Sequence, residues 1–100
     1  MEKRKHTLVE NADENRYEFD LGDDIAIIEY IKTQGFIILT HTEVPEKYEG
    51  QGIGAELVHD VLEDLRAKKI QMTPQCPFVA QYIYRHPEWA DVVLKEVPAK

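Results

Sequence analysis

Tyr17, Phe19 and Leu21 alternate with Glu18 and Asp20, a period of two that turns one side of a strand toward a core and the other toward solvent. Residues 6–11 read as a shorter strand before it, ended by the turn-forming run Ala12-Asp13-Glu14-Asn15. After Gly22-Asp23-Asp24, residues 25–31 are apolar at both parities, as expected of a central strand covered on both faces. Thr33-Gln34-Gly35 then turns the chain, and residues 36–42 return as the partner strand. Every connection is too short for a helical crossover, so the first half predicts an antiparallel meander.

The period changes after Pro45. Residues 47–54 form a polar, glycine-rich loop, and Ile53, Leu57, Val58, Val61, Leu62 and Leu65 follow at helical spacing. The opposite side of this long helix carries Glu56, His59, Asp60, Glu63 and Asp64, while Arg66, Lys68 and Lys69 lie at its C-terminal end, where cations complement the helix dipole. Residues 69–73 read as a strand ended by Pro74 and Pro77. Residues 78–85 read as a short helix stopped by His86-Pro87, and residues 90–97 offer a closing strand. The order β-β-β-β-α-β-α, with that last strand, predicts an α+β fold built as a single domain over residues 1–100.

Charge and cysteine content narrow the partners. The net charge of −7 opposes nucleic acid and anionic membrane surfaces. The one basic run, Lys3-Arg4-Lys5, reads as a solvated end. No apolar stretch of signal-peptide or transmembrane character is present, and the single cysteine, Cys76, forms no internal disulfide; together these predict a cytoplasmic protein, expected to be a monomer. No Cys/His spacing suits zinc, so no metal is expected. Serine is absent from the chain, which removes a Ser-His-Asp hydrolase.

The most informative segment runs from His41 to Ala55, where a strand passes through Glu49-Gly50-Gln51-Gly52-Ile53-Gly54 into the amphipathic helix. Glycines permit close approach of a ligand, and a helix N-terminus offers unpaired N–H groups to an anion such as a pyrophosphate. The same glycines would also serve simply to close a tight connection. A dinucleotide-binding βαβ unit does not fit, because antiparallel strands come first and no acidic residue follows at the required distance. Without Gly-Lys-Ser/Thr there is no P-loop.

Glu49 to Gly54 resembles the coenzyme A segment of GNAT acetyltransferases, Arg/Gln-x-x-Gly-x-Gly/Ala. His41-Thr42-Glu43-Val44-Pro45, the glycine turn, and Pro74-Gln75-Cys76-Pro77-Phe78 through Tyr82-Ile83 and His86-Pro87-Glu88 are together similar to a family of small GNAT-like acetyltransferases, over about residues 7 to 95. The resemblance implies a minimal GNAT fold that binds acetyl-CoA through Val44 and the backbone of Gln51, Gly52, Ile53, Gly54 and Ala55. One position departs from the pattern: Glu49 stands where the family carries Arg or Gln, which predicts weakened affinity for an anionic donor. The N-terminal helices that help build the acceptor site of larger members have no counterpart here. Lys68 or Lys69 would hold a phosphate of the donor or simply complement the helix dipole.

Acetyl transfer needs a deprotonated nucleophile, stabilisation of an oxyanion and an acid for the departing thiolate. Cys76 is either a small buried hydrophobe or a thiol that takes the acetyl group and passes it to an amine. In the direct alternative, His41 or Glu43, on one face of their strand by alternation, acts as the base. Tyr82, with Tyr84 nearby, is the candidate acid by the same resemblance, against an ordinary place in the core. His59 and His86 carry less weight. The expected reaction is acetyl-CoA-dependent N-acetylation of a small-molecule or protein amine; a CoA-binding module with little turnover, or a purely structural interaction domain, are the alternatives.

Overall fold

In the computed structural model, residues 6–95 are described. Five strands form one sheet in the order β1-β2-β3-β4-β5: β1 (Leu8–Asn11), β2 (Arg16–Asp20), β3 (Ile25–Lys32), β4 (Phe36–Glu43) and β5 (Gln71–Pro74). The first four are antiparallel neighbours. β5 lies parallel to β4, which requires the crossover that α1 (Ile53–Lys68) supplies. α2 (Pro77–Arg85) starts with proline in its first turn and ends at His86, before Pro87.

The period-two pattern and the helical stripe meet in one core. Tyr17, Phe19, Ala26, Ile28, Tyr30, Ile37 and Leu39 of the sheet pack with Leu57, Val58, Val61, Leu62 and Leu65 of α1. Met72, Cys76, Val79, Trp89 and Val92 complete the cluster from the second half.

Three expectations are corrected. Of the expected closing strand 90–97, residues 90–95 do not close the sheet: Pro87–Val92 is a 3-10 helix, and among the described residues only Val93 bridges to Met72, with Leu94 N–H donating to the Met72 carbonyl at 2.8 Å. Trp89 and Val92 are buried from that helix, and their packing sets the local conformation. The C-terminal part of this span, like Lys3-Arg4-Lys5, lies outside the described residues. β3 is covered on both faces only where Ala26, Ile27 and Ile28 are buried in succession; toward its ends Ile25 and Ile31 are 37% and 53% exposed. Asp60, expected on the solvent side of α1, is buried and holds His59 Nδ1 at 3.1 Å.

A bulge in β4 fixes which side chains reach the site. Glu29 pairs with His41 but Tyr30 pairs with Leu39, so Thr40 is the extra residue, its hydroxyl donating to the Glu29 carbonyl at 3.2 Å. Simple alternation would put His41 and Glu43 on the core face with Ile37 and Leu39. The extra residue reverses the parity, placing Thr42 opposite the buried Ile28 and turning His41 and Glu43 to the outer face.

Candidate active site

The β4–β5 ladder ends at Leu39 and Pro74, because Pro74 has no N–H to continue it and Pro77 turns the chain into α2. Cys76 N–H makes a last bond to the Leu39 carbonyl at 2.9 Å. Beyond this point β4 continues without β5 beside it. The strands therefore part next to the glycine turn.

A cavity of about 400 Å³ opens there, walled by Thr42 and Val44 from the end of β4, by Tyr48 to Gly50, by Gly52 to Ala55, and by Phe78 of α2. Gly50 and Gly52 have φ of +83° and +80°, a region that L side chains enter only at a cost. Gly52 caps α1 without any side-chain hydrogen bond, and the first N–H to find a partner within the helix is that of Glu56, bonded to the Gly52 carbonyl. The N–H groups of Ile53, Gly54 and Ala55 precede it, so this end of α1 presents donors and positive dipole to the cavity. At Gly54 the requirement for glycine is steric: a Cβ would lie 2.9 Å from Phe78 Cζ and 3.6 Å from Val44 Cγ2. The predicted contacts Val44, Gly52, Ile53, Gly54 and Ala55 all line the cavity; Gln51 is exposed beside it.

The loop before α1 is tied to the turn between β2 and β3. Tyr48 donates its hydroxyl to Asp23 at 2.7 Å and to the Leu21 carbonyl at 3.0 Å, and Lys47 meets Asp23 at 2.6 Å. Hydrogen bonds from Lys47 and Tyr48 hold the Asp23 carboxyl down to about 2. Lys47 is thereby committed, leaving Glu49 as the charged residue on the cavity wall.

The proposed catalytic side chains occupy three separate places. Cys76 is 4% exposed, with Sγ 3.3 Å from Thr42 Oγ1, on the core side of the parting strands. His41 and Glu43 lie on the outer face, His41 Nε2 being 3.4 Å from Glu43 Oε1 with both side chains largely exposed. Tyr82 stacks on His86 at 4.2 Å between ring centroids. Burial raises its phenol above the ordinary value, the charge of Glu88 adds to this, and a hydrogen bond from Trp89 partly offsets it. Its hydroxyl thus belongs to the surroundings of Trp89, and Tyr82 is not part of the cavity wall. Tyr84 is 84% exposed. Lys68 bonds Asp64 and Glu10 at the far end of α1, about 24 Å from the glycine turn at the rise of a helix, and serves there as an ion-pair partner.

Thr42, Tyr48 and Phe78 are site residues that the sequence reading left unassigned. Phe78 carried the clearest signal, an aromatic directly after the Pro77 that begins a helix. What it touches was set by the meeting of α2 with Gly54, which no local pattern encodes.

Known proteins agree with this geometry. A family profile described as GCN5-related N-acetyl-transferase matches residues 16–92. The NMR structure of a GCN5-like candidate N-acetyltransferase from Staphylococcus aureus superposes with a TM-score of 0.68 at 23% identity, over 95% of this chain and 94% of that one, and so shares the fold. No curated protein matches the chain. No described helix is long and apolar enough to cross a membrane. With its strands parting beside an uncapped glycine-lined helix end, and with the family profile covering most of its length, the chain belongs to the GCN5-related N-acetyltransferase family.

Proposed function

We propose that this chain is a cytosolic, monomeric N-acetyltransferase that takes its acetyl group from acetyl-CoA and delivers it to an amine. The observation that carries this reading is the single cleft in which the parting of β4 and β5 meets the uncapped N-terminus of α1. The residues fit the donor: the amides of Ile53, Gly54 and Ala55 and the open backbone at Gly50 and Gly52 suit its diphosphate, and Val44, Ile53 and Phe78 suit its pantetheine arm. Acetyl-CoA supplies an acetyl group already activated as a thioester.

Cys76 supports a covalent route, because it stands where the strands separate and the Thr42 hydroxyl can hold the thiol proton or donate to the sulfur. Direct transfer would instead use Glu43, oriented by His41, to take the proton of the amine, with Tyr82 as the candidate acid. One observation favours the second reading, a CoA-binding module with little turnover: Cys76 is buried, while His41 and Glu43 face the other side of the sheet.

Incubation with acetyl-CoA, followed by intact mass and peptide mapping alongside Cys76→Ala, separates these routes. A hydroxylamine-sensitive acetyl group on Cys76, lost in the variant, is the result expected of the covalent route. Turnover of an amine panel by Cys76→Ala would assign direct transfer. CoA retained without adduct or turnover would make the chain a binding module, and failure to bind CoA would overturn the proposal.

A further inference from the structure

The two sides of the end of β4 lead to different places. Thr42 faces the core side opposite Ile28, and Glu43 lies on the outer face opposite Ile27. On that outer face Glu43, Pro45, Asp24, Ile25 and Ile27 line a cavity of about 370 Å³. It shares Asp24 and Ile25 with a second cavity of about 430 Å³, whose walls include Val9, Glu18 and Asp20. The two form a trough across the end of the β2–β3 hairpin. Because Thr42 and Val44, the neighbours of Glu43, line the glycine-turn cleft, one strand separates trough from cleft.

Its walls combine two chemistries. Val9 and Ile25 are 48% and 37% exposed, among the few large apolar side chains left open to solvent; Pro45 extends that surface, and Ile27, 8% exposed, lies beneath it. All charged side chains lining the two cavities are carboxylates. Arg16 neutralises Glu18, and Lys47 neutralises Asp23. Asp20 accepts from Gly22 N–H and Asp24 from Ile25 N–H, while Glu43 meets the exposed His41 at 3.4 Å. Among the described residues, no lysine or arginine forms an ion pair with Asp20, Asp24 or Glu43, although Lys47, bound to Asp23, also feels the charge of Asp24. Carboxylates distributed along an apolar trough complement a chain in which methylene segments alternate with ammonium groups. Each cavity has the size of a small-molecule site.

We infer that this trough binds a free linear aliphatic polyamine and serves as the acceptor subsite of the transfer proposed above, the second part resting on that reading. Multiple ammonium groups meet Asp20, Asp24 and Glu43, and the methylenes lie on Val9, Ile25 and Pro45. A lysine side chain offers a single ammonium and uses only part of the trough. In the transfer, the terminal ammonium first gives one proton to Glu43, and the resulting neutral amine forms the C–N bond to the acetyl carbon. As the C–S bond to CoA breaks, the second proton lost by that nitrogen passes to the departing thiolate, which leaves as the free thiol.

The test is a ¹H–¹⁵N titration with spermidine at low salt and without CoA. Saturable shifts at Gly22, Asp24, Ile25, Ile27 and Glu43, with little change along α1, are expected. Asp24→Asn should weaken the apparent Kd about threefold, the scale of one exposed charge pair, and Ile25→Lys, which puts a cation into the trough, should weaken it tenfold or more. CoA affinity should be unchanged in both variants. No saturable shifts, shifts centred on Asp60, Glu63 and Asp64, or unaltered binding by Ile25→Lys would overturn the site. Equal or tighter binding of an end-blocked lysine peptide would overturn the choice of a free polyamine. A CoA titration of the same sample reads the glycine turn separately, so failure of the donor site is distinguished from failure of the trough.

Discussion

At its C-terminal end α1 is closed by the protein itself, whereas its N-terminal end has no side-chain cap and borders a cavity. Lys69, at φ 61°, bonds its N–H to the carbonyls of Leu65 and Arg66, and Ile70 N–H bonds Leu65 as well. Around this end Lys68 joins Asp64 at 2.8 Å and Glu10 at 3.1 Å, Tyr17 donates to Asp64 at 2.7 Å, and Tyr30 donates to Glu10 at 2.6 Å. At the other end Gly52 supplies no side-chain cap, and the first-turn N–H groups face a cavity. Under the function proposed above, one end contributes to stability and the other to binding, so changes at the two should have separable effects.

The sharpest way to break this comparison is Gly54→Asp. The new side chain collides with Phe78 and brings a negative charge to the donor end of the helix, and a loss of CoA affinity of a hundredfold or more is expected by calorimetry. Thermal unfolding should change less, because Phe78 is partly exposed and its ring can swing away. Normal CoA binding by this variant would remove the proposed diphosphate site. At the closed end Tyr17→Phe should do the reverse, costing about 1–2 kcal/mol in denaturant unfolding with CoA affinity unchanged, since it removes the Asp64 partner from a buried ring.

Acid probes the connection between the hairpin and the glycine loop. The Asp23 carboxyl has its pKa lowered from 3.8 to about 2, first by the hydrogen bond from Lys47 and then by that from Tyr48. The folded value lies below the unfolded one, so its contribution is complete above about pH 4 and is lost as the pH falls through about 2. NMR of the Tyr48 ring should show release over that window, and Asp23→Asn should remove the step. The smallest effect is expected at Glu49. Replacing it with Gln removes the acidic charge from the cavity wall and should tighten CoA binding about two- to fivefold, with the gain shrinking in high salt.

Much of this architecture follows from local patterns. Alternation at Tyr17, Phe19 and Leu21, the stripe from Ile53 to Leu65 and the prolines at 74, 77 and 87 are short-range signals, and the meander, both helices and the glycine turn follow from them. The resemblance pointed to residues that line the glycine-turn cavity because it rests on backbone and glycines, which a motif encodes directly. Tertiary structure decided the rest: the Thr40 bulge that turned His41 and Glu43 outward, the placing of Phe78 over Gly54, the burial of Asp60, and the packing of Trp89 and Val92 that replaced a closing strand with a 3-10 helix. Strand register and helix contacts depend on how distant segments fill shared space. Periodicity within a segment specifies which residues share a face, but only the packed partner determines what that face meets.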